Sequence, residues 1–481
     1  MASTVTVLKQ SSVSPPPSSS PTEMSLPLTF LDMIWLHFLP IQRLMFYEIP
    51  NLSTAHFIDH IIPKLETSLS ITLQNYLPLA GNLIIPSGSG SNPRMPEIRY
   101  LQGDSVSVTF SECNEVDCFS HLTADVARNC REFHSLVPEL FKTVLMDEVD
   151  SSSDRVIPVL GIQATLFPDS GISIGISNHH SVGDARTIFQ FMKTWANLSF
   201  QLHGDRDSVS AKSIVSENPP IFDRNLIHDS KGLASVFFQR WNGIIEFVKT
   251  SNSFSVDDFL NKINVNVRKT FVITRKDIEK LKSLAIKNGE RLLHLSSFTV
   301  VCAYVWTCLV KSRAPSGEDV SEQDPELFSF YADCRGRMNP RLPETYFGNC
   351  LTHCLTTSEY GKLVGEEGFQ TAGELIGKTI HGRLKSSETI FSGAEKWMEG
   401  PTSANLGRDV GVAGSPKFSY YSMDFGWGKP KSFEFVSIDL TGAISLSGSR
   451  ESDGSVEVGI SIPKPKMEAF STIFREGLEA L

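Results

Sequence analysis

Three histidines in this chain are each followed, four residues later, by an aspartate. A neutral imidazole can take the proton of a hydroxyl group while that hydroxyl attacks an electrophile, so a histidine near a carboxylate is a candidate general base. The spacing alone cannot select one pair, because so short a motif recurs by chance. The three pairs are His121 with Asp125, His180 with Asp184, and His203 with Asp207.

The segment around His180 has the best-defined pattern of the three. Apolar and small residues alternate over 172–177, which predicts a strand, and apolar residues at helical spacing from Ile188 onward predict a helix. A rigid scaffold presents catalytic groups at such turns. If the strand continues, His180 lies on the isoleucine face and is more enclosed than His179, and enclosure keeps an imidazole neutral. A core histidine bonded to backbone is the alternative, and the other two pairs lie in polar segments typical of exposed loops.

Asp184 could serve in two ways. It could orient His180, as the acid of a hydrolase triad does, or it could cap the following helix and pair with an arginine. We favour the structural role because Asp184 stands where the helix begins, and Gly183 suits a tight turn before it. A serine hydrolase is disfavoured because the G-x-S-x-G letters at 171–175 lie inside the alternating strand pattern and not on the strand-to-helix turn that a nucleophilic serine needs. A metal site is disfavoured because His179 and His180, as neighbours on a strand, point to opposite faces.

Length and composition limit the fold and the partners. The chain has 481 residues, of which 41% are hydrophobic, enough for two domains of about 200 residues each. Its net charge is −10 and no basic run stands out, so nucleic acid and membranes are not expected as partners. The eight cysteines include no CxxC pair, which indicates reduced thiols in the cytosol. The longest apolar stretch, Leu295 to Val310, is short for a membrane span and predicts a buried helix.

The order of patterns along the chain predicts an α/β fold. Residues 1–25 are rich in Ser and Pro, without an apolar signal-peptide region, and predict a flexible tail. Residues 26–202 are predicted to form an N-terminal domain, in which 56–74 has helical spacing that Pro63 would kink or split. Residues 203–260 are predicted to be a crossover or linker, polar up to residue 229. Residues 261–481 are predicted to form a C-terminal domain ending in three short strands and a helix.

Three motifs, taken in order along the chain, resemble those of one enzyme family. The stretch from Asn178 to Ala185 (NHHSVGDA) resembles the HxxxD signature of the BAHD acyltransferases. Asp424 to Gly428 (DFGWG) matches that family's second signature letter for letter. Tyr346 to Cys350 (YFGNC) is similar to the motif of the clade that acylates anthocyanins and other phenolic glycosides. The resemblance extends over nearly the whole chain from Leu26 to the C-terminal helix.

The resemblance implies a fold and a position for the candidate base. The expected fold is two similar chloramphenicol acetyltransferase-like domains of mixed sheet plus helices, joined by a crossover, with an active-site channel between them. His180 would lie in mid-channel, with acyl-coenzyme A entering from one face and the acceptor alcohol from the other. By the same resemblance, Asp184 pairs with either Arg335 or Arg337, which agrees with a structural role for it.

The DFGWG stretch is expected to shape the channel. By resemblance it lies toward the coenzyme A side, with Asp424, Gly426 and Gly428 near the substrates and Asp424 chiefly architectural. During acyl transfer the thioester carbonyl becomes an oxyanion and needs a preorganised donor, whose loss typically costs ~3 kcal/mol. The indole N–H of Trp427 is our candidate donor, with a packed aromatic residue on a glycine-flanked turn as the alternative.

The acyl group expected from the YFGNC clade is malonyl, supplied by malonyl-CoA as co-substrate, and the expected acceptor is a sugar hydroxyl of a flavonoid or other phenolic glucoside. A malonyl group carries a free carboxylate, and Arg186, just past Asp184, is our candidate partner for it. An exposed arginine is the alternative. Lys417 and Lys429, with Lys431 close by, are weaker candidates for binding the coenzyme A phosphates. The reaction needs no metal, no bound cofactor and no covalent enzyme intermediate.

Other functions stay open at this point. Members of the same clade also use hydroxycinnamoyl donors, so aromatic acyl transfer is the nearest alternative. Condensation domains of peptide synthetases share His-His-x-x-x-Asp, but YFGNC, DFGWG and the lack of a carrier domain argue against one. A catalytically silent binding protein on this fold would have no need of His180, which argues against that reading too. The family leads us to expect a monomer.

Overall fold

The computed structural model of the protein describes residues 5–17, 21–87, 94–140, 153–203, 219–251, 263–286, 294–398 and 408–481. Its strands, in chain order, are β1 (Val5–Val13), β2 (Glu23–Pro27), β3 (Ile41–Glu48), β4 (Asn82–Ile85), β5 (Glu97–Leu101), β6 (Val106–Cys113), β7 (Arg128–Asn129), β8 (Arg155–Pro158), β9 (Leu160–Phe167), β10 (Gly171–Asn178), β11 (Asn266–Ile273), β12 (Pro325–Asp333), β13 (Leu351–Glu359), β14 (Asp409–Gly414), β15 (Ser432–Phe435), β16 (Ile444–Gly448) and β17 (Val456–Pro463). Its α-helices are α1 (Phe30–Met33), α2 (Thr54–His56), α3 (Ile62–Asn75), α4 (Cys118–Leu122), α5 (Arg131–His134), α6 (Ala185–His203), α7 (Leu233–Ser251), α8 (Arg275–Ala285), α9 (Ser297–Lys311), α10 (Tyr360–Val364), α11 (Gly368–Arg383), α12 (Ile438–Thr441) and α13 (Lys464–Glu479).

The strands form three sheets with helices packed against them, so the α/β prediction is confirmed. A six-stranded sheet has the order β1-β6-β9-β10-β3-β15, in which β6 and β9 run parallel and the other neighbours antiparallel. A seven-stranded sheet has the order β13-β12-β14-β16-β17-β11-β7, with β14 parallel to both of its neighbours. A four-stranded antiparallel sheet, β2-β5-β4-β8, belongs to the N-terminal half. Each half of the chain therefore has one large mixed sheet.

Each large sheet also contains one strand from the other half of the chain. β15, from the C-terminal half, pairs antiparallel with β3, with Phe435 opposite Arg43. β7, from the N-terminal half, pairs antiparallel with β11, with Asn129 opposite Val267. The predicted domain boundaries therefore do not separate two self-contained units. The sequence could not show the exchange, because a strand's own pattern says which face is buried and not which sheet it joins.

The prediction of a flexible tail over residues 1–25 is wrong for the strand within it. β1 forms one edge of the six-stranded sheet and pairs with β6, from Val5 opposite Cys113 to Val13 opposite Val106. Val13 is buried in the N-terminal core, and Leu8 packs partly against that core. Backbone pairing and these apolar contacts outweigh the Ser- and Pro-rich composition on which the prediction rested.

Two large apolar cores, with two smaller clusters beside them, stabilise the sheets and their helices. β9 and β10, in the middle of the six-stranded sheet, are buried along their whole length, since both faces are covered. In the C-terminal half, α9 is buried from Thr299 to Val310, which confirms the predicted buried helix. None of the helices in the described ranges has the length and apolar character that crossing a membrane requires.

The helix predicted over 56–74 is present but irregular. α2 continues through one π-helical stretch, Phe57–Ile61, into α3. Pro63 accounts for the irregularity, because it has no backbone N–H to donate to the carbonyl of Asp59 and the helix must widen there. Pro63 was predicted to kink or split the helix, and its effect in the structure is a widened turn without a break.

The described part of the predicted linker, 219–251, is ordered. Ile221 forms a parallel bridge with Tyr346 of the YFGNC segment. α7 then packs on the N-terminal half, where the indole Nε1 of Trp241 donates to the carbonyl of Met33 at 2.9 Å. The linker residues 204–218 and 252–260 lie outside the described ranges. The crossover therefore binds both halves close to the candidate site.

Candidate active site

A cavity of about 1950 Å³ lies between the two halves of the chain. Its wall includes Trp35, Arg43 and His180 from the N-terminal half and Tyr331 and His353 from the C-terminal half. Ligand pockets usually occupy about 300–1,000 Å³, so this cavity can hold two substrates together. His180 thus lies where groups from both halves meet.

The local structure around His180 differs from a continued strand. β10 ends at Asn178, and one turn of 3₁₀ helix begins at His180, with the Nδ1 atom of His179 accepting the Ser181 N–H at 3.2 Å. His179 is consequently fully buried, whereas His180 is partly exposed and lines the cavity. The prediction that His180 is the more enclosed of the two is therefore wrong. The turn ends the alternation of strand faces, and it is this turn that directs His180 into the cavity.

The His180 side chain is held against an aromatic ring and kept neutral. Its imidazole stacks on the indole of Trp35, with ring centroids 3.8 Å apart and planes 11° from parallel. Burial and the nearby charge of Arg43 lower the pKa of His180 to about 4, and the negative charge of Asp184 opposes that shift only in part. The Asn349 side chain also donates to the backbone carbonyl of His180 at 2.9 Å. At neutral pH the imidazole can therefore accept a proton.

The contacts of Asp184 agree with the structural role that the sequence favours. Its carboxylate pairs with Arg335 through two hydrogen bonds, 2.7 Å from Nη1 and 3.1 Å from Nη2. It also accepts the N–H groups of Cys350 at 3.0 Å and Thr187 at 3.2 Å, the second of which caps α6. Burial alone would raise the pKa of Asp184, but the charge and hydrogen bonds of Arg335 hold it below the usual value. Of the two arginines expected from the resemblance, Arg335 is the partner.

The YFGNC segment connects this ion pair to the base. The Asn349 side chain bridges the His180 carbonyl and Oδ1 of Asp32, the latter at 3.0 Å. Arg224, from the crossover, donates to the carbonyl of Phe347 at 2.7 Å and lies 3.6 Å from Asp32. These contacts fix the turn that carries His180 from the C-terminal side.

The DFGWG stretch is a compact turn outside the cavity wall. Oδ1 of Asp424 accepts the N–H groups of Gly426 at 2.7 Å and Gly428 at 2.8 Å, and both glycines have positive φ, 107° and 86°. The ring of Trp427 stacks on Phe425 with centroids 5.7 Å apart. Among the described residues that line the cavity, none belongs to 424–428. Trp427 as oxyanion donor and Asp424, Gly426 and Gly428 as substrate contacts therefore stay predictions without support from the cavity wall, whereas the two hydrogen bonds of Asp424 agree with an architectural role.

The arginine and lysines that were predicted to bind anionic groups of the substrates lie in different surroundings. Arg186 lines the cavity and forms ion pairs with Asp333 at 2.9 Å and Glu344 at 3.2 Å. Lys417 lines the cavity at an exposed position. Lys429 is exposed but does not contribute to the cavity wall, and Lys431 is paired with Glu48.

Of the other two His/Asp pairs, the structure describes His121 with Asp125. The side chain of His121 is 50% exposed and bonds Glu132 at 3.0 Å. Asp207 lies outside the described ranges, as does the side chain of His203. His121 thus lies at the surface, as expected for a residue in a polar segment.

A run of aromatic rings lines the cavity beside His180. Trp35 lies between His180 and Tyr331, whose ring centroid is 4.6 Å from that of Trp35. His353 is 5.0 Å from Tyr331, and Trp397 is 6.5 Å from His353. Sequence reasoning missed these residues, because an aromatic residue in an apolar segment gives no sign that it faces a cavity. Arg43 was also missed, although a charge within the apolar strand β3 was an available signal.

Comparison with known proteins places the chain in a family. The model of the Transferase family matches residues 3–92 and 105–476. The chain is 42% identical over 477 residues to phenolic glucoside malonyltransferase 1 of Nicotiana tabacum, covering 99% of both proteins. It is 39% identical over 480 residues to malonyl-coenzyme A:anthocyanin 3-O-glucoside-6''-O-malonyltransferase of Dahlia pinnata, covering 99% of this chain and 98% of that protein.

Solved structures show the same fold at much lower identity. The crystal structure of vinorine synthase superposes with a TM-score of 0.64 at 18% identity, covering 97% of this chain and 96% of that one. TRI101 of F. sporotrichioides, solved with coenzyme A and T-2, has a TM-score of 0.60 at 14% identity, covering 93% and 97%. Because the family model and these relatives cover nearly the whole chain, the protein belongs to this transferase family, the BAHD acyl-CoA-dependent acyltransferases.

Proposed function

We propose that the protein transfers the malonyl group of malonyl-CoA to a sugar hydroxyl of a flavonoid or other phenolic glucoside. The observation that carries the proposal is His180, a neutral imidazole on the wall of a cavity large enough for two substrates. The relatives from tobacco and dahlia, named as malonyltransferases of phenolic and anthocyanin glucosides, support the donor and the acceptor. The aromatic rings beside His180 offer flat apolar surface, which suits a phenolic aglycone.

The proposed reaction transfers the acyl group directly between the two substrates. The acceptor hydroxyl gives its proton to His180 while its oxygen attacks the thioester carbonyl, a contribution of about 10²–10⁴ in rate. The tetrahedral intermediate then expels the coenzyme A sulfur as its bond to the carbonyl carbon breaks, and the sulfur takes up the proton held by the His180 imidazolium. The products are an ester and free coenzyme A. Asp184, committed to Arg335, holds the His180 turn in place without exchanging a proton.

Cations at the exposed part of the cavity wall would bind the coenzyme A phosphates. Arg337, Lys385 and Lys417 line the cavity at exposed positions. Ser297, the first residue of α9, lies on the same wall, and a helix N-terminus favours anions. Lys417 keeps the role suggested for it from the sequence, whereas Lys429 does not share this wall.

Aromatic acyl transfer is the second candidate. Two coumaroyltransferases of anthocyanidin 3-O-glucosides from Arabidopsis thaliana are 33% and 32% identical to the chain. The malonyltransferases from tobacco and dahlia, at 42% and 39%, are more similar, which favours the malonyl donor. We further propose that the protein acts as a monomer in the cytosol. The eight cysteines, all free and buried, are consistent with a reducing compartment.

Acyl transfer by purified wild type and His180→Ala tests the proposal. Malonyl-CoA and p-coumaroyl-CoA are each offered with a panel of flavonoid and simple phenolic glucosides, and free thiol release and acylated product are measured. We expect malonylated glucoside from wild type and a loss of about 10²-fold or more in His180→Ala. Transfer of p-coumaroyl alone would overturn the donor assignment. Equal rates for both proteins would overturn the role of His180, and coenzyme A binding without turnover of any pair would favour a silent binding protein.

A further inference from the structure

Arg43 is a buried cation on the cavity wall. It lies on β3 opposite Ile176 of β10, four residues before His180. Its side chain is almost fully buried, at 3% exposure, and lines the cavity. Nη1 donates to Oδ1 of Asn178 at 2.7 Å, and the guanidinium lies over the ring of Phe435 at 5.6 Å. These neutral contacts orient the group without balancing its charge.

The other buried arginines of the described structure each have a carboxylate. Arg335 pairs with Asp184 at 2.7 Å, and Arg313 pairs with Glu326 at 2.8 Å. Two more, Arg128 and Arg268, pair with Glu434 at 2.9 and 3.0 Å.

Within the same ranges, Arg43 forms no ion pair, and its further polar partner, the Tyr420 hydroxyl, is neutral. Its Nε has no hydrogen-bond partner, as is also true of Arg128, Arg268 and Arg335, so the missing carboxylate is what sets Arg43 apart. A buried charge without a counter-ion is unfavourable, so this position is suited to an anionic ligand.

We propose that Arg43 binds the free carboxylate of the malonyl donor. The proposal rests on the malonyl-transfer function and identifies what selects the donor. In a malonyl thioester the carboxylate is one methylene from the reacting carbonyl, so its partner must lie beside the base, as Arg43 does. A guanidinium binds a carboxylate through two parallel hydrogen bonds, and Nε with a terminal nitrogen supplies such a pair of donors. Arg186, our candidate from the sequence, already pairs with two carboxylates, and a substrate carboxylate would have to compete with them for its guanidinium.

Binding of the carboxylate would also change the base. Three charged or titratable groups act on His180: Arg43 from β3, Asp184 from the start of α6, and the adjacent His179. Arg43 disfavours the imidazolium, and a bound carboxylate would neutralise that effect. The correct donor would therefore raise the basicity of His180 when it binds, and an acyl group without a carboxylate would not.

Comparison of malonyl-CoA with acetyl-CoA tests the proposal, since the two donors differ only in the carboxylate. The ratio of their kcat/KM values is measured for wild type, Arg43→Gln, Arg43→Lys and the matched control Arg186→Gln. We expect Arg43→Gln to lower the malonyl preference by about 10- to 100-fold, Arg43→Lys by less, and Arg186→Gln to keep the wild-type ratio. An unchanged ratio in Arg43→Gln, or a shift in Arg186→Gln alone, would overturn the assignment to Arg43.

Two measurements keep the test decisive if the variants fold poorly. Calorimetry of wild type and of each variant gives the ratio of the dissociation constants of malonyl-CoA and acetyl-CoA without turnover. In wild type, NMR of carbon-13-labelled histidine should show that the pKa of His180 rises when malonyl-CoA binds and does not rise when acetyl-CoA binds. The same change in pKa with both donors would contradict the proposal. If wild type neither binds nor uses malonyl-CoA, the proposed function itself fails. If wild type uses malonyl-CoA and the Arg43 variants keep its preference, only the inference fails.

Discussion

Replacing Asp184 by Asn tests whether the carboxylate of Asp184 is structural or catalytic. Asp184 accepts four hydrogen bonds, two from Arg335 and one each from Cys350 and Thr187. Both charged side chains are buried, at 2% and 3% exposure. Asn keeps the size but loses the charge, and its NH₂ group cannot accept from the guanidinium. Breaking a buried pair on one side costs about 3–5 kcal/mol, because the other charge is left unpaired.

We therefore expect the apparent free energy of unfolding to fall by about 3–5 kcal/mol in Asp184→Asn, measured by urea denaturation followed by circular dichroism. Asp333→Asn is the matched control. Asp333 also contacts Arg335, at 3.3 Å, but its side chain is 34% exposed. An exposed pair contributes about 0–1 kcal/mol, so this variant should lose little stability.

The activity of the folded fraction completes the test. If Asp184 only positions the turn, kcat per folded molecule should fall by less than about 100-fold. In a hydrolase triad the corresponding Asp-to-Asn change lowers kcat by about 10⁴-fold with the geometry intact. A loss of that size in Asp184→Asn, with unchanged stability, would refute the structural assignment.

Three further predictions concern the aromatic groups and the base. Because the pKa of His180 is about 4, kcat/KM should be level from pH 8 to about pH 5.5 and fall only as pH drops toward 4, where the base becomes protonated; a fall centred near pH 6.5 would contradict the burial argument. Trp35→Phe keeps a ring against the imidazole and Trp35→Leu does not, so kcat should fall about tenfold further in Trp35→Leu; equal kcat values in variants of native circular dichroism would show that the stack is dispensable. Trp427→Phe keeps the stack on Phe425 and should leave kcat within about threefold of wild type, whereas a loss of about 100-fold or more would restore the indole as an oxyanion donor.

The sequence is sufficient where structure is set by neighbouring residues. Alternation over 172–177 and helical spacing from Ile188 correctly predict β10 and α6, and with them the turn that carries His180. The same holds for α9, whose apolar run predicts burial. The enclosure of His180 relative to His179 was predicted wrongly because one turn of 3₁₀ helix breaks the strand period there.

What the sequence could not provide depends on contacts between distant segments. The choice of Arg335 over Arg337 is made by Asp184, about 150 positions away in the chain. The environment of Arg43 depends on Asn178 and Phe435 together, from opposite halves. The sequence shows a charge in an apolar strand, but only the assembled cavity shows that this charge has no carboxylate partner among the residues described. The role of Trp427 stays a prediction for the same reason, since a motif gives the residue type and not the direction of its ring.

The position of β15 has a consequence for how the protein is made. Residues 432–435 complete the six-stranded sheet beside β3, which is synthesised almost four hundred residues earlier. Domains usually fold in turn as they leave the ribosome, but here the edge of β3 stays unpaired until nearly the whole chain has emerged. The six-stranded sheet is therefore completed only when β15 emerges, and a chain cut short before residue 432 would present an open strand edge that favours aggregation.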